Sequence, residues 1–385
     1  MLEQLRALRK RGVEATVIVP TPWIPKPLRF LRRAQKYNAI PPRAEIDGFA
    51  VEYPRVLILP GEFLFVLYGF FHYLRLRYLL RSMKRSPFDL IHAHMVTPDG
   101  FAAILLSRAS RLPVICTMHG EDINDYPQRS RLIRWATAWT LRRMNGLIAV
   151  SADMRTKARR LSNTRDVTVV HNGADATQFR SQSKAEARAR LGISLDIKVV
   201  LFVGHLVVEK SLEDLLLAFA ALPQHHTRLF IVGDGRLRGS LVALAKRLGL
   251  EETCIFAGYQ PHHMIPTWLS AADCLVLSSK TEGLPTILAE AMMSRVPVVA
   301  TAVGGIPEIV KHGITGYLIP PKNPTALSEA IGMALERENI EPIVAVAEVQ
   351  ARTKLTWDAN AMMTLNVYRD VLAANGPANL TKLAA

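Results

Sequence analysis

The chain has 385 residues, 49% hydrophobic and 21% charged, enough for two ordinary globular domains each with a buried core. Its three cysteines, Cys116, Cys254 and Cys274, sit in apolar strand-like runs without metal-ligand spacing, which excludes a disulfide scaffold and reads as reduced thiols in a cytoplasmic protein. The net charge of +15 is one-sided, with 28 Lys/Arg against 13 Asp/Glu in residues 1–172 and 20 of each in residues 173–385. Such a field suits an anionic membrane surface, an anionic acceptor or nucleic acid.

Met1–Gly12 reads as an amphipathic helix with Leu2, Leu5 and Leu8 on one face and a glycine C-cap. A doubly wound domain begins with a central strand, yet none precedes this helix. The first strand and its turn are therefore expected to be missing, from a start codon assigned too late or a truncated chain. Strand-like runs then alternate with helical stretches at Glu14–Pro20, Phe88–His94, Pro113–Gly120, Asn145–Ser151 and Val167–Gly173. Between the first two, residues 63–85 combine Phe63, Phe65, Tyr68, Phe70, Phe71, Tyr73, Leu74 and Tyr78 with Arg75, Arg77, Arg81, Lys84 and Arg85. Either an interfacial amphipathic helix or a core helix with solvated basic residues fits that composition. No apolar run reaches the ~18 residues of a membrane span, and no leader pattern opens the chain.

His171-Asn172-Gly173-Ala174-Asp175 leaves a strand through an Asn-Gly turn, which places a domain boundary after residue 172. A second series of strands follows at Lys198–Gly204, Arg228–Gly233, Cys254–Gly258, Ala272–Ser279, Pro297–Thr301 and Gly316–Pro320. The expected architecture is α/β, with two Rossmann-like doubly wound domains facing a ligand cleft.

Residues just after strands are the natural candidates for chemistry. The strongest local signal runs from the fourth strand of the second series into Lys280-Thr281-Glu282-Gly283-Leu284-Pro285, and on to Glu290. Pro285 suits a first helical position and Gly283 frees the turn, so unpaired N–H groups should be available to an anion such as a diphosphate. Glu290, about one and a half turns into that helix, can accept from both ribose hydroxyls, and Glu282 from hydroxyls of a transferred sugar. Among the histidines, His92 and His94 alternate at a strand end but lack a third ligand for zinc. His94, at the tip, is an acceptor-side candidate. Gly233-Asp234-Gly235 is followed by Gly239, so the dinucleotide fingerprint is not met. No reading helix, zinc finger or stacking-sheet motif supports nucleic acid as a partner.

The E-x7-E stretch, with His171 through Asp175, Gly204 through Lys210, Gly233-Asp234-Gly235 and Gly304-Gly305-Ile306-Pro307-Glu308, resembles the retaining glycosyltransferases of family 4, which have the GT-B fold. The match spans nearly the whole chain. It implies an acceptor-binding domain over 1–172, a nucleotide-sugar donor-binding domain over 173–356, and a helix in 357–385 crossing back to the first domain. It also implies that Lys210 meets the donor phosphates and that His119, in His119-Gly120-Glu121-Asp122, points at the sugar near the reacting carbon. Gly204, His205, Gly283, Leu284 and Pro285 would complete the donor side, and Asp122 the acceptor side with His94. His205 stands where family members usually have arginine, which weakens the phosphate clamp. Asp122-Ile123-Asn124-Asp125 lacks a D-x-D pattern, so no metal or other cofactor is expected. His119-Gly120-Glu121-Asp122-Ile123-Asn124 with Ala93-His94 is similar to a subgroup that builds cell-surface polysaccharides such as teichuronic acid. That implies a saccharide or lipid-linked acceptor and peripheral contact with the inner, anionic membrane face. The other readings are a non-catalytic sugar-nucleotide-binding scaffold and a nucleotide-sugar epimerase on the same architecture.

Overall fold

The structure is a computed structural model that describes residues 1–24, 36–58, 65–82, 88–164, 166–223 and 226–375. The chain forms two compact units: residues up to Val170 together with the segment from Ala361 onward, and His171–Asn360. In both, short runs of Val, Ile, Leu and Cys form strands buried on two faces, as in parallel sheets covered by helices. Val114–Met118 and Cys274–Leu277 are buried throughout. All three cysteines lie in strands as buried free thiols, and burial pushes the thiol of Cys254 up to about 12.

The second unit is built on a six-stranded parallel sheet in the order Cys254–Gly258, Thr227–Val232, Lys198–Val203, Cys274–Leu277, Val298–Thr301, Tyr317–Ile319. Numbered along the chain, this is the doubly wound 3-2-1-4-5-6 arrangement. Its order reverses between Lys198–Val203 and Cys274–Leu277. Loops leaving those two strands diverge to opposite faces, and ligands of open α/β sheets bind in the crevice so formed.

In the first unit the parallel strands Ile91–His94, Val114–Met118, Gly146–Ala149 and Thr168–Val169 form one sheet. Thr16–Ile18 belongs to another, parallel to Phe49–Glu52, which in turn pairs antiparallel with Arg43–Ile46. Among the described residues no strand joins Thr16–Ile18 to Ile91–His94. Helix Leu2–Arg9 opens the chain as expected, burying Gln4, Ala7 and Leu8.

The hairpin at 43–52 was not among the expected strands. Its two-residue turn is Asp47-Gly48, with φ of +52° and +75°, the type I′ geometry for which Asp-Gly between alternating residues is the usual signal. Helix Phe65–Ser82 forms within the expected 63–85 stretch. Phe63, Lys84 and Arg85 lie outside the described residues, as does the side chain of Arg81. Helix Trp357–Ala374 ends the described chain, and its residues from 361 pack on the first unit. There Gln4 donates to Thr364 at 3.5 Å, and a Cβ added at Gly146 would lie 2.8 Å from Val371.

Candidate active site

In the second unit, Lys198–Val203 runs into Gly204 and a short turn at Val208–Lys210, while Cys274–Leu277 leads to Glu282. The two loops flank the reversal of strand order and are bonded to each other. Lys280 N–H donates to the Glu209 carbonyl at 2.8 Å, and Ser278 Oγ donates to the Lys210 carbonyl at 2.9 Å. On this frame Lys210 Nζ meets Glu282 Oε1 at 2.5 Å, and Ser279 Oγ donates to the same oxygen at 2.6 Å. Both partners are largely shielded, with side chains 21% and 9% exposed. An ammonium so placed is a fixed positive charge beside a carboxylate that can accept further hydrogen bonds.

Glycines let the loops lie this close. A Cβ at Gly304 would sit 2.0 Å from the Glu282 carbonyl oxygen, and one at Gly233 would sit 1.9 Å from that of Gly204. Gly304 also has φ of +55°, where a side chain is disfavoured. Gly305 N–H then donates to the Gly283 carbonyl at 2.9 Å. The Gly304-Gly305 pair thus supports the Glu282 loop from behind, a role that motif matching alone did not assign.

Helix Thr286–Met293 starts beside Glu282. Pro285 occupies the cap position, with φ −73° and ψ 119°, one residue before the expected first helical position. The reason is that its extended ψ directs the chain into the helix, and no side chain caps the first turn. Gly283 and Leu284 are buried, and the Leu284 carbonyl accepts from Asn172 Nδ2 at 3.2 Å. This anchors the 171–175 segment to the same loop, with His171 Nε2 3.0 Å from Glu308 Oε2. Glu290 is 7% exposed and lies 3.4 Å from His262 Nε2. His262 was missed: its turn, His262–Met264, contains no motif, and only the fold brings it to Glu290. His205 is exposed on the loop after Gly204.

In the first unit, His119 follows Val114–Met118 and His94 ends Ile91–His94. Their rings stack with centroids 5.2 Å apart, and His94 Nδ1 lies 2.9 Å from His119 Nε2. His92 stacks on His94 at 4.5 Å, with its Nδ1 2.6 Å from Tyr368 Oη and its Nε2 2.8 Å from Thr117 Oγ1. Burial pushes the His119 imidazole down to about 4, helped by the positive Met1 amino group, and His92 to about 3, helped by His119. His94 is held well below the ordinary histidine range, first by burial and then by its histidine neighbours. All three are therefore neutral near pH 7. Just past His94, Met95 has φ of +88°, a region that non-glycine residues rarely adopt.

Asp122 is placed differently from the acceptor-side position expected of it. It is fully buried, with Oδ1 accepting from the His119 and Gly120 amides at 3.2 and 3.0 Å and Oδ2 from Val96 N–H at 3.1 Å. Burial raises its pKa against the pull of those bonds. It holds the backbone beneath His119, and its carboxylate faces inward.

Two α/β units with parallel sheets, polar loops at the carboxyl ends of their strands and, in one of them, a lysine, a glutamate and a helix start gathered at the reversal of strand order have the architecture of a GT-B protein. Residues 1–178 match "Glycosyltransferase Family 4" and residues 183–346 match "Glycosyl transferases group 1". The chain is 34% identical over 334 residues to TuaC of Bacillus subtilis (strain 168), named as a teichuronic acid biosynthesis glycosyltransferase, covering 85% of this chain and 82% of that one. Sucrose-phosphate synthase from Thermosynechococcus elongatus superposes with a TM-score of 0.82 at 22% identity, over 97% of this chain and 92% of that one. Anabaena Alr3699/HepE, solved with UDP and glucose, superposes at 0.75 and 21% identity, over 95% of each. This chain belongs to the family 4 (group 1) glycosyltransferases.

Proposed function

We propose that this glycosyltransferase transfers a sugar, with retention, from a nucleoside-diphosphate sugar to a hydroxyl of a saccharide or lipid-linked acceptor in cell-surface polysaccharide biosynthesis. The observation that carries the reading is the Lys210–Glu282 pair at the strand-order reversal, beside the uncapped start of helix Thr286–Met293. The likeness to TuaC supports the polysaccharide acceptor, and the UDP and glucose held by HepE support the donor class.

In this reading the diphosphate lies against the Lys210 ammonium and the first amides of the helix, which supply positive potential without a metal ion. Glu282 accepts from the transferred sugar and Glu290 from the ribose. His119, neutral, accepts or donates a hydrogen bond near the anomeric carbon, with its orientation set by His94. Gly204, Gly283, Leu284 and Pro285 shape the donor loop, and His205 contributes a weaker donor than arginine would. The bond from the anomeric carbon to the diphosphate breaks through an oxocarbenium-like state, with the electron pair leaving on the phosphate oxygen. The acceptor oxygen bonds on the same face, and its proton passes to that phosphate oxygen. The basic first half keeps the enzyme against an anionic membrane.

The test is transfer or donor hydrolysis across a panel of sugar nucleotides, with chelator present. Turnover that Lys210→Ala and Glu282→Ala abolish supports the reading, while wild-type turnover in both variants removes it. A second reading, a sugar-nucleotide-binding scaffold, is motivated by His205, exposed on the loop where the resemblance expects an arginine. Donor binding without turnover for any pair tested would favour it.

A further inference from the structure

We infer that the first unit docks on an anionic bilayer through one face, made by helices Phe65–Ser82 and Arg131–Leu141. This deepens the membrane-contact part of the function proposed above and rests on it. Leu67, Phe70, Leu74 and Tyr78 recur at helical spacing along the first helix and are 42%, 43%, 47% and 68% exposed. The opposite side of the helix faces the protein, with His72 and Leu79 buried. A stripe of large apolar side chains on the outer face of a helix is the inverse of the usual pattern, and marks an interaction surface.

The second helix packs near the protein-facing side of the first and carries exposed apolar residues of its own. Gly69 brings the first helix so close to Phe101 that an added Cβ would lie 2.7 Å from its ring. The Phe101 ring lies 5.2 Å from Trp139, which is 6.4 Å from Trp135. Leu132 and Trp135 are 50% and 53% exposed. The sequences of these two helices contain no aspartate or glutamate.

Arginines frame this apolar surface. Arg131 and Arg134 are exposed on the second helix, and Arg142 and Arg143 directly follow it. The Arg143 guanidinium lies 4.2 Å from the Trp139 ring centroid and that of Arg75 5.6 Å from Tyr78. Aromatic rings bearing guanidinium groups suit the boundary between headgroups and acyl chains, where indole and phenol favour the interface and arginine reaches lipid phosphate. A second copy of this chain fits less well, because a self-complementary contact would set these arginines against one another.

The full chain should bind vesicles of phosphatidylcholine mixed with phosphatidylglycerol more tightly than phosphatidylcholine alone, and release them in high salt. Each of Arg131→Gln, Arg134→Gln and Arg142→Gln should weaken binding about five-fold at low salt. Phe70→Ser combined with Trp135→Ser should weaken it by about ten-fold or more. The same double exchange should leave the unfolding midpoint and donor hydrolysis unchanged. Should it fail to fold, quenching of tryptophan fluorescence by brominated lipid in the wild-type protein, reduced in Trp135→Phe, still tests the contact. Equal vesicle binding by the wild type and the folded double variant overturns the proposal. So does no binding at any salt, or a concentration-dependent dimer that the double exchange dissolves. Donor hydrolysis retained without vesicle binding defeats the docking face alone, whereas vesicle binding without any donor turnover defeats the transferase reading alone.

Discussion

The two units solve the same structural problem by different means. In the second, Lys198–Val203 is paired on both edges, so the loops bearing Lys210 and Glu282 spring from strands held by main-chain ladders. In the first, Ile91–His94 pairs with Val114–Met118, its one strand partner among the described residues. Side chains hold that edge: His92 is fixed by Tyr368 and Thr117, and the backbone beneath His119 by the buried carboxylate of Asp122. A site built on ladders should lose chemistry when a side chain is removed and keep its shape. A site held by side chains should lose shape first.

The largest effect that sharpens this contrast is Lys210→Ala. Removing a preorganised charge from the leaving group should lower turnover by roughly 10²–10³, about 3–4 kcal/mol of transition-state stabilisation. The unfolding midpoint of the second unit should move little. A midpoint fall large enough to account for the lost turnover would break the contrast. Next comes Asp122→Ala, which strands three backbone amides away from water. It should cost about 2–3 kcal/mol in chemical denaturation, with the loss centred on the first unit. Asp122→Asn should recover part of it, since one amide oxygen still accepts. Smaller again, Tyr368→Phe removes the partner of His92 Nδ1 and should cost about 1 kcal/mol, read as faster amide exchange along Ile91–His94.

Much of the second unit was legible beforehand because its strands are continuous apolar runs, four of the six ending in Gly or Ser where the loop begins. Gly204, Glu282 and Glu290 follow from that punctuation. Other features were not legible, for physical reasons. The partnership of Glu290 with His262 joins residues on different loops, and no local spacing encodes it. Asp122 reads as an acceptor-side residue in the sequence, which does not reveal that three amides converge on its carboxylate. The hairpin around Asp47-Gly48 was readable from its turn residues and from the alternation of Ala44, Ile46, Phe49 and Val51, but its strands are only four residues long and Arg43–Ile46 is mostly exposed. In the first unit the pairing of His94 with His119 depends on neighbouring strands lying in register, His94 opposite Thr117, which only the sheet fixes.

The pH response of that histidine group tests the same comparison, and its sign follows from the desolvation of the rings. In the unfolded chain His92 and His119 take up protons near the ordinary value of about 6.5. In the folded chain they do so only at about 3 and about 4. Between about pH 6.5 and pH 4 the unfolded state therefore binds more protons, and stability falls as pH falls through that window. Asp122 acts in the opposite sense, because its raised folded pKa favours proton uptake by the folded state in acid and so offsets part of the loss. Exchange protection along Ile91–His94, corrected for intrinsic rates, should accordingly decline from pH 6.5 to 4, while Lys198–Val203, with no histidine on the strand, holds its protection. His92→Gln should flatten the decline. An equal fall in both strands would mean that the two units share one acid transition. The difference between ladder-held and side-chain-held sites would then have no bearing on their stability in acid.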